Sequence, residues 1–70
     1  MTTDELRTQV AELLDIDPAE IADDDSLLDH GLDSVRVMSL VEAWRAQGRT
    51  IDFVDLAENP TLEGWATIIK

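Results

Sequence analysis

Apolar residues recur along this chain at the intervals of an amphipathic helix in three separate stretches. In the first, Leu6, Val10, Leu13 and Leu14 stand at i, i+4, i+7 and i+8. Thr2 and Glu5 precede that face with the spacing of a capping box, in which each side chain satisfies a backbone N–H at the helix start. Asp4 and Glu5 also place negative charge at the positive end of the helix dipole. The pattern predicts a helix over about residues 3 to 14. In the second stretch Val37, Leu40, Val41 and Trp44 form one stripe, which predicts a helix from Ser34 to about Gln47, closed by Gly48. Val35, Met38, Ser39 and Glu42 lie off that stripe, so Met38 is partly free to face outward on the side of Ser34. The third stretch carries Leu62, Trp65, Ile68 and Ile69 behind Thr61 as its cap, with Gly64 weakening the helix somewhat. Between the second and third, Asp52 caps a short apolar segment that Pro60 stops. The expected fold is all-α: a small bundle of three longer helices and one short one, without strands, forming a single domain over residues 1–70.

Residues 15 to 33 remain as a long connection between the first two helices. Within it, Asp17-Pro18-Ala19-Glu20 reads as one helical turn, with proline tolerated at its first position. Ile16, Ile21, Leu27 and Leu28 interrupt the polar run and are expected to pin the loop onto the core. A connection this long in so small a domain is usually functional, and this one leads directly to Ser34. Gly31 allows a sharp turn, and Asp33 and Ser34 are both suitable N-caps for the helix that follows. The connection also contains Asp23-Asp24-Asp25, which invites comparison with a calcium loop. Starting at either Asp15 or Asp23, the required glycine and closing glutamate are missing. These acids are expected to be a solvated loop, with no metal.

The 70 residues include no cysteine, so neither disulfides nor a Cys/His metal cluster can staple the core. Stability must come from helix packing in a domain with little interior. Sixteen acidic against five basic side chains give a net charge of −11. Such a surface repels nucleic acid and anionic membranes and steers toward basic patches on partner proteins. It also disfavours self-association, so a monomer is expected. No apolar run approaches a membrane span and no signal-peptide pattern opens the chain, which suggests a cytoplasmic protein. A free-standing enzyme finds little to work with: His30 is the one histidine, and no convincing carboxylate pair is present. His30, Ser34 and an aspartate contain triad residue types, but a helix cap four residues away offers no built pocket. No catalytic residue is expected. An acidic interaction module remains as one alternative, although it would not need a serine at a helix start.

The stretch Asp29-His30-Gly31-Leu32-Asp33-Ser34-Val35-Arg36 resembles the phosphopantetheine attachment site of carrier proteins. The order of elements is similar to that family over nearly the whole chain. Together with Ile51-Asp52-Phe53-Val54-Asp55-Leu56-Ala57-Glu58-Asn59-Pro60-Thr61-Leu62 and the following Trp65, it looks like the aryl carrier domains of nonribosomal peptide assembly lines, which serve siderophore and antibiotic biosynthesis. Val35 stands where fatty-acid carriers usually have leucine, and the second glycine common in peptidyl carriers is absent. An acyl or peptidyl carrier for fatty-acid, polyketide or amino-acid substrates is the nearest alternative. The resemblance implies that Ser34 bears a covalent 4′-phosphopantetheine arm, whose thiol holds an aromatic acyl group as a thioester. It implies three partners: a phosphopantetheinyl transferase, an adenylating ligase for the aryl acid, and a condensation-type enzyme. Asp33, Val35, Arg36 and Met38, with Phe53 and Ala57 on the short helix, are the candidate docking residues.

Overall fold

The computed structural model describes residues 1–69; Lys70, the last residue of the expected domain, lies outside them. Helix α1 (Thr3–Leu14) starts with the capping box foreseen from Thr2 and Glu5. The Thr2 hydroxyl accepts the Glu5 N–H at 3.2 Å, and the Glu5 carboxylate accepts the Thr2 N–H at 3.3 Å. The Thr2 backbone first, and its hydroxyl second, hold the Glu5 carboxyl below the usual carboxylate range. The remaining helices are α2 (Ser34–Ala46), α3 (Phe53–Glu58) and α4 (Leu62–Ile68). Two 3₁₀ turns, Pro18–Glu20 and Leu27–His30, occupy the connection. Helix α2 ends at Ala46 with Gln47 as its cap, and Gly48 follows in the left-handed region at φ 90°. That conformation lets Arg49 N–H return to the Trp44 carbonyl at 3.1 Å.

One core joins all four helices and the connection. Leu6, Val10 and Ala11 of α1 meet Val37, Leu40, Val41 and Trp44 of α2, Leu56 of α3, and Leu62 and Trp65 of α4, with Ile51 and Ile69 completing it. Leu13 and Leu14 pack against this core while partly buried. Trp44 and Trp65 meet edge to face with ring centroids 6.0 Å apart, a favoured aromatic geometry. Both are fully buried, and both indole N–H groups are satisfied: Trp44 donates to the Gln9 side chain at 2.8 Å and Trp65 to the Leu56 carbonyl at 3.0 Å.

One cap differs in detail from the sequence pattern. Asp52 holds the N-cap position of α3 but makes no side-chain cap bond; its carboxylate instead lies 3.4 Å from the Arg45 guanidinium. Thr61 does cap α4, accepting the Gly64 N–H at 3.0 Å. A Cβ on residue 64 would come within 2.9 Å of the Thr61 hydroxyl and 3.1 Å of Asn59 Cβ. The helix therefore gives up some propensity at Gly64 in return for a close cap.

The connection is bound tightly at its start and middle. Ile21, Leu27 and Leu32 are buried, and Ile16 packs partly against the core. Leu27 N–H donates to the Pro60 carbonyl at 2.8 Å, and Glu63 N–H to the Asp23 carbonyl at 3.1 Å. Arg7 reaches across from α1, donating through Nε to the Ile21 carbonyl at 3.0 Å and pairing with both Asp4 and Asp23. Leu28 corrects the expectation that it pins the loop: it is 55% exposed. In a 3₁₀ turn successive side chains point about 120° apart, so Leu27 and Leu28 cannot both face the core.

Candidate functional site

The chain enters the site through the second 3₁₀ turn. Gly31 closes it at φ 96°, with its N–H directed to the Leu27 and Leu28 carbonyls. A residue with a Cβ would be strained in that conformation, although nothing lies within 4 Å of the position a Cβ would take. Leu32 then turns inward and is buried, and the backbone extends at Asp33.

Of the two candidate caps, Asp33 takes the role. Its carboxylate accepts the Arg36 N–H at 2.9 Å, which leaves Ser34 as the first helical residue. Ser34 is exposed, and among the described residues no group hydrogen-bonds its hydroxyl. Ser39, one turn further along, is different: its hydroxyl donates to the Val35 carbonyl at 3.3 Å. The first turn of a helix leaves N–H groups without intrahelical acceptors. Here Asp33 occupies only that of Arg36, so the amides of Ser34 and Val35 face outward beside the hydroxyl. A phosphodiester on Ser34 fits such a position, since the amides and the helix dipole both favour negative charge.

Apolar side chains lie open on the same helix. Val35 is 74% exposed and Met38 40% exposed, as their places off the buried stripe of α2 predict. Helix α3 packs against α2; on it Ala57 is exposed, whereas Phe53 is half-buried against the core. Arg36 is exposed, but its guanidinium folds back to the Gly31 carbonyl at 3.2 Å and toward Asp33 at 3.6 Å. Leu28 and Val54, exposed at 55% and 60%, are absent from the sequence-derived set. Val54 carried a readable signal: Phe53, Val54, Leu56 and Ala57 crowd one six-residue helix, and its single buried residue is Leu56. Leu28 carried none, because its neighbour Leu27 is chemically identical.

His30 does not approach the serine as a base would. Its Nε2 lies 3.1 Å from Asp25, and Asp25 also accepts the Ala22 N–H at 3.0 Å. The Ala22 N–H first, and the His30 ring second, hold the Asp25 carboxyl below its usual range. The neighbouring acids are engaged separately: Asp23 pairs with Arg7 while Asp25 turns to Ala22 and His30. Among the described residues no group of three or more His, Asp or Glu side chains converges as a metal site. Nor is any described helix long and apolar enough to cross a membrane.

Comparisons with known proteins bear on this geometry. Isochorismatase of Bacillus subtilis is 52% identical over 68 residues, covering 97% of this chain and 22% of that protein. Enterobactin synthase component B of Escherichia coli is 52% identical over 65 residues, covering 93% of this chain and 22% of that protein. Phenyloxazoline synthase MbtB of Mycolicibacterium paratuberculosis is 42% identical over 67 residues, or 96% of this chain and 6% of that protein. The chain thus spans less than a quarter of each of these relatives. No solved structure matches it significantly. The phosphopantetheine attachment site family matches residues 4–69, almost the whole all-helical bundle and the serine junction within it; the chain belongs to that family, whose cofactor is a covalently attached 4′-phosphopantetheine.

Proposed function

We propose that this chain is a single aryl carrier domain that receives 4′-phosphopantetheine on Ser34 and holds an aromatic acyl group on the arm's thiol as a thioester. The observation that carries this reading is the Ser34 hydroxyl: exposed, free of hydrogen bonds among the described residues, and first in α2 behind an aspartate cap. The aryl assignment draws support from two separated stretches, Asp29–Arg36 and Ile51–Leu62. It also draws on relatives whose names include enterobactin synthase and phenyloxazoline synthase.

The chemistry divides between this chain and its partners. A phosphopantetheinyl transferase uses coenzyme A as donor. The Ser34 oxygen forms a bond to the phosphorus that bears the pantetheine, and the bond from that phosphorus to adenosine 3′,5′-bisphosphate breaks. The nucleotide leaves, and the hydroxyl proton passes to the transferase or to water. The arm then supplies the thiol that this cysteine-free chain lacks. With the arm in place, an adenylating ligase would activate the aryl acid with ATP, releasing pyrophosphate, and transfer the acyl group to that thiol with AMP leaving. A condensation-type enzyme would then pass the acyl group to its acceptor and free the thiol. The domain itself makes no bond beyond the one at Ser34. Its contribution is to present the hydroxyl, and later the arm, beside the exposed Val35 and Met38 of α2. Phe53 and Ala57 stand on α3, the helix packed against α2. Basic partner surfaces are drawn in by the net charge of −11.

The test is intact-protein mass spectrometry after incubation with coenzyme A and a promiscuous transferase. One phosphopantetheinyl group is expected on the wild type and none on Ser34→Ala, whose fold should be unchanged. Loading of the holo-protein is then screened with adenylating ligases for aryl, amino and fatty acids. Preference for an amino-acid or fatty-acid ligase would replace the aryl reading with another carrier branch. No added mass on folded wild type would remove the carrier reading.

A further inference from the structure

Arg36 stands two residues after Ser34, and its exposure invites a role as a partner contact. Its guanidinium nevertheless turns back onto its own chain. Nη1 donates to the Gly31 carbonyl at 3.2 Å and lies 3.6 Å from one Asp33 carboxylate oxygen. The other Asp33 oxygen accepts the Arg36 backbone N–H at 2.9 Å. Asp33 and Arg36 therefore hold each other at two points, Arg36 also holds Gly31, and Ser34 lies within the loop so closed.

The same device occurs twice elsewhere in the molecule. Arg7 on α1 donates to the Ile21 carbonyl at 3.0 Å and pairs with Asp4 and Asp23. Arg45 on α2 donates to the Ile51 carbonyl at 2.9 Å and lies 3.4 Å from Asp52. In each case a helical arginine straps a loop carbonyl and pairs with a carboxylate next to that loop. This recurrence marks the Arg36 contacts as part of how the chain secures its loops. The Arg36 strap differs in what it secures, because its loop carries the reactive hydroxyl.

We propose that Arg36 is a positioning residue for the transfer of phosphopantetheine to Ser34, fixing the Gly31–Asp33 turn so that the hydroxyl is presented in one orientation before the transferase arrives. The inference rests on Ser34 being the attachment residue. Its physical basis is that Gly31 is the most permissive residue of the junction, at φ 96° and without a side chain to hold it. The guanidinium restrains that point and the cap together, reducing the orientations lost when the serine enters a reacting geometry. A partner contact would lower the affinity for the transferase when removed; a positioning contact lowers turnover and loosens the junction in the free carrier.

The experiment compares wild type, Arg36→Gln and Arg36→Lys as carrier substrates for one transferase with coenzyme A. Amide hydrogen exchange is measured on each free protein. Arg36→Gln is expected to lower kcat about fivefold with KM little changed. Exchange at residues 32–36 should quicken about threefold, while the amides of α4 stay as they were. Arg36→Lys retains the charge and one donor, and should recover part of both losses. Should Arg36→Gln fail to fold, Arg36→Lys alone carries the comparison through the same two readouts. Raised KM with unchanged exchange would overturn the proposal in favour of a partner contact, and normal kinetics in both variants would overturn it outright. Failure of the wild type to accept any group is a different result, which removes the Ser34 reading and this inference with it.

Discussion

The two halves of the connection between α1 and α2 are held by different means. The first, up to Leu27, is built into the body of the protein. Ile21 and Leu27 are buried, Arg7 straps it from α1, and backbone bonds stitch it to Pro60 and Glu63. The second, from Leu28 to Ser34, puts only Leu32 into the core and otherwise relies on a glycine turn and the half-exposed Asp33–Arg36 pair. Sequence composition barely separates them, since both mix branched apolar residues with aspartates. The difference teaches that the anchored half serves as a foundation, while the other leaves the candidate serine at the surface without exposing the core beneath it.

Neighbouring leucines give the sharpest break of this comparison. Leu27→Ala, in the anchored half, should cost about 2–4 kcal/mol because it opens a cavity at a fully buried site. Leu28→Ala should stay within about 0.5 kcal/mol. Urea denaturation of both variants measures the contrast, and equal losses would mean that the two halves are anchored alike. The next effect concerns the strap itself. Arg7→Gln leaves the buried Ile21 carbonyl without its donor and is expected to cost about 1–2 kcal/mol. Amide exchange should then quicken around residues 21–27 and remain unchanged late in α2.

The smallest effect is a dependence on pH. The folded Asp25 carboxyl is held below its usual range by the Ala22 N–H and the His30 ring. Because the folded value is the lower one, the associated stability is fully present above the ordinary aspartate value of about 4. It is lost as pH falls through the folded value. Asp25→Asn keeps an acceptor for the Ala22 N–H but cannot titrate. Its urea midpoint should therefore fall less than that of wild type between neutral and acidic pH. An identical pH profile for the two proteins would show that Asp25 contributes nothing to the acid response.

Much of this arrangement was legible before any coordinates. The buried stripe of α2, the capping box of α1 and the Thr61 cap follow from spacing within a few residues, because helix geometry relates such neighbours directly. Position 28 was not legible, because Leu27 and Leu28 are chemically identical and a 3₁₀ turn can bury only one of them. The choice between Asp33 and Ser34 as cap was also open, since both side chains suit that place. Its outcome matters most for the candidate site: with Asp33 as cap, the serine hydroxyl is left without a hydrogen bond among the described residues.

By itself, then, the sequence determined the helical class, the faces that form the core, the acidic surface and the location of the candidate serine. Each depends on periodicity, charge or local chemistry, which survive without knowledge of what lies opposite. Only the tertiary structure decided that Leu28 faces outward while Leu27 is buried, that Phe53 turns partly inward, and that Arg36 closes on Gly31 rather than reaching outward. Those outcomes depend on which helix packs against which, and on where a flexible side chain finds an otherwise unpaired carbonyl. Both are relations between distant or nonhelical parts of the chain, to which a linear pattern carries no direct signal.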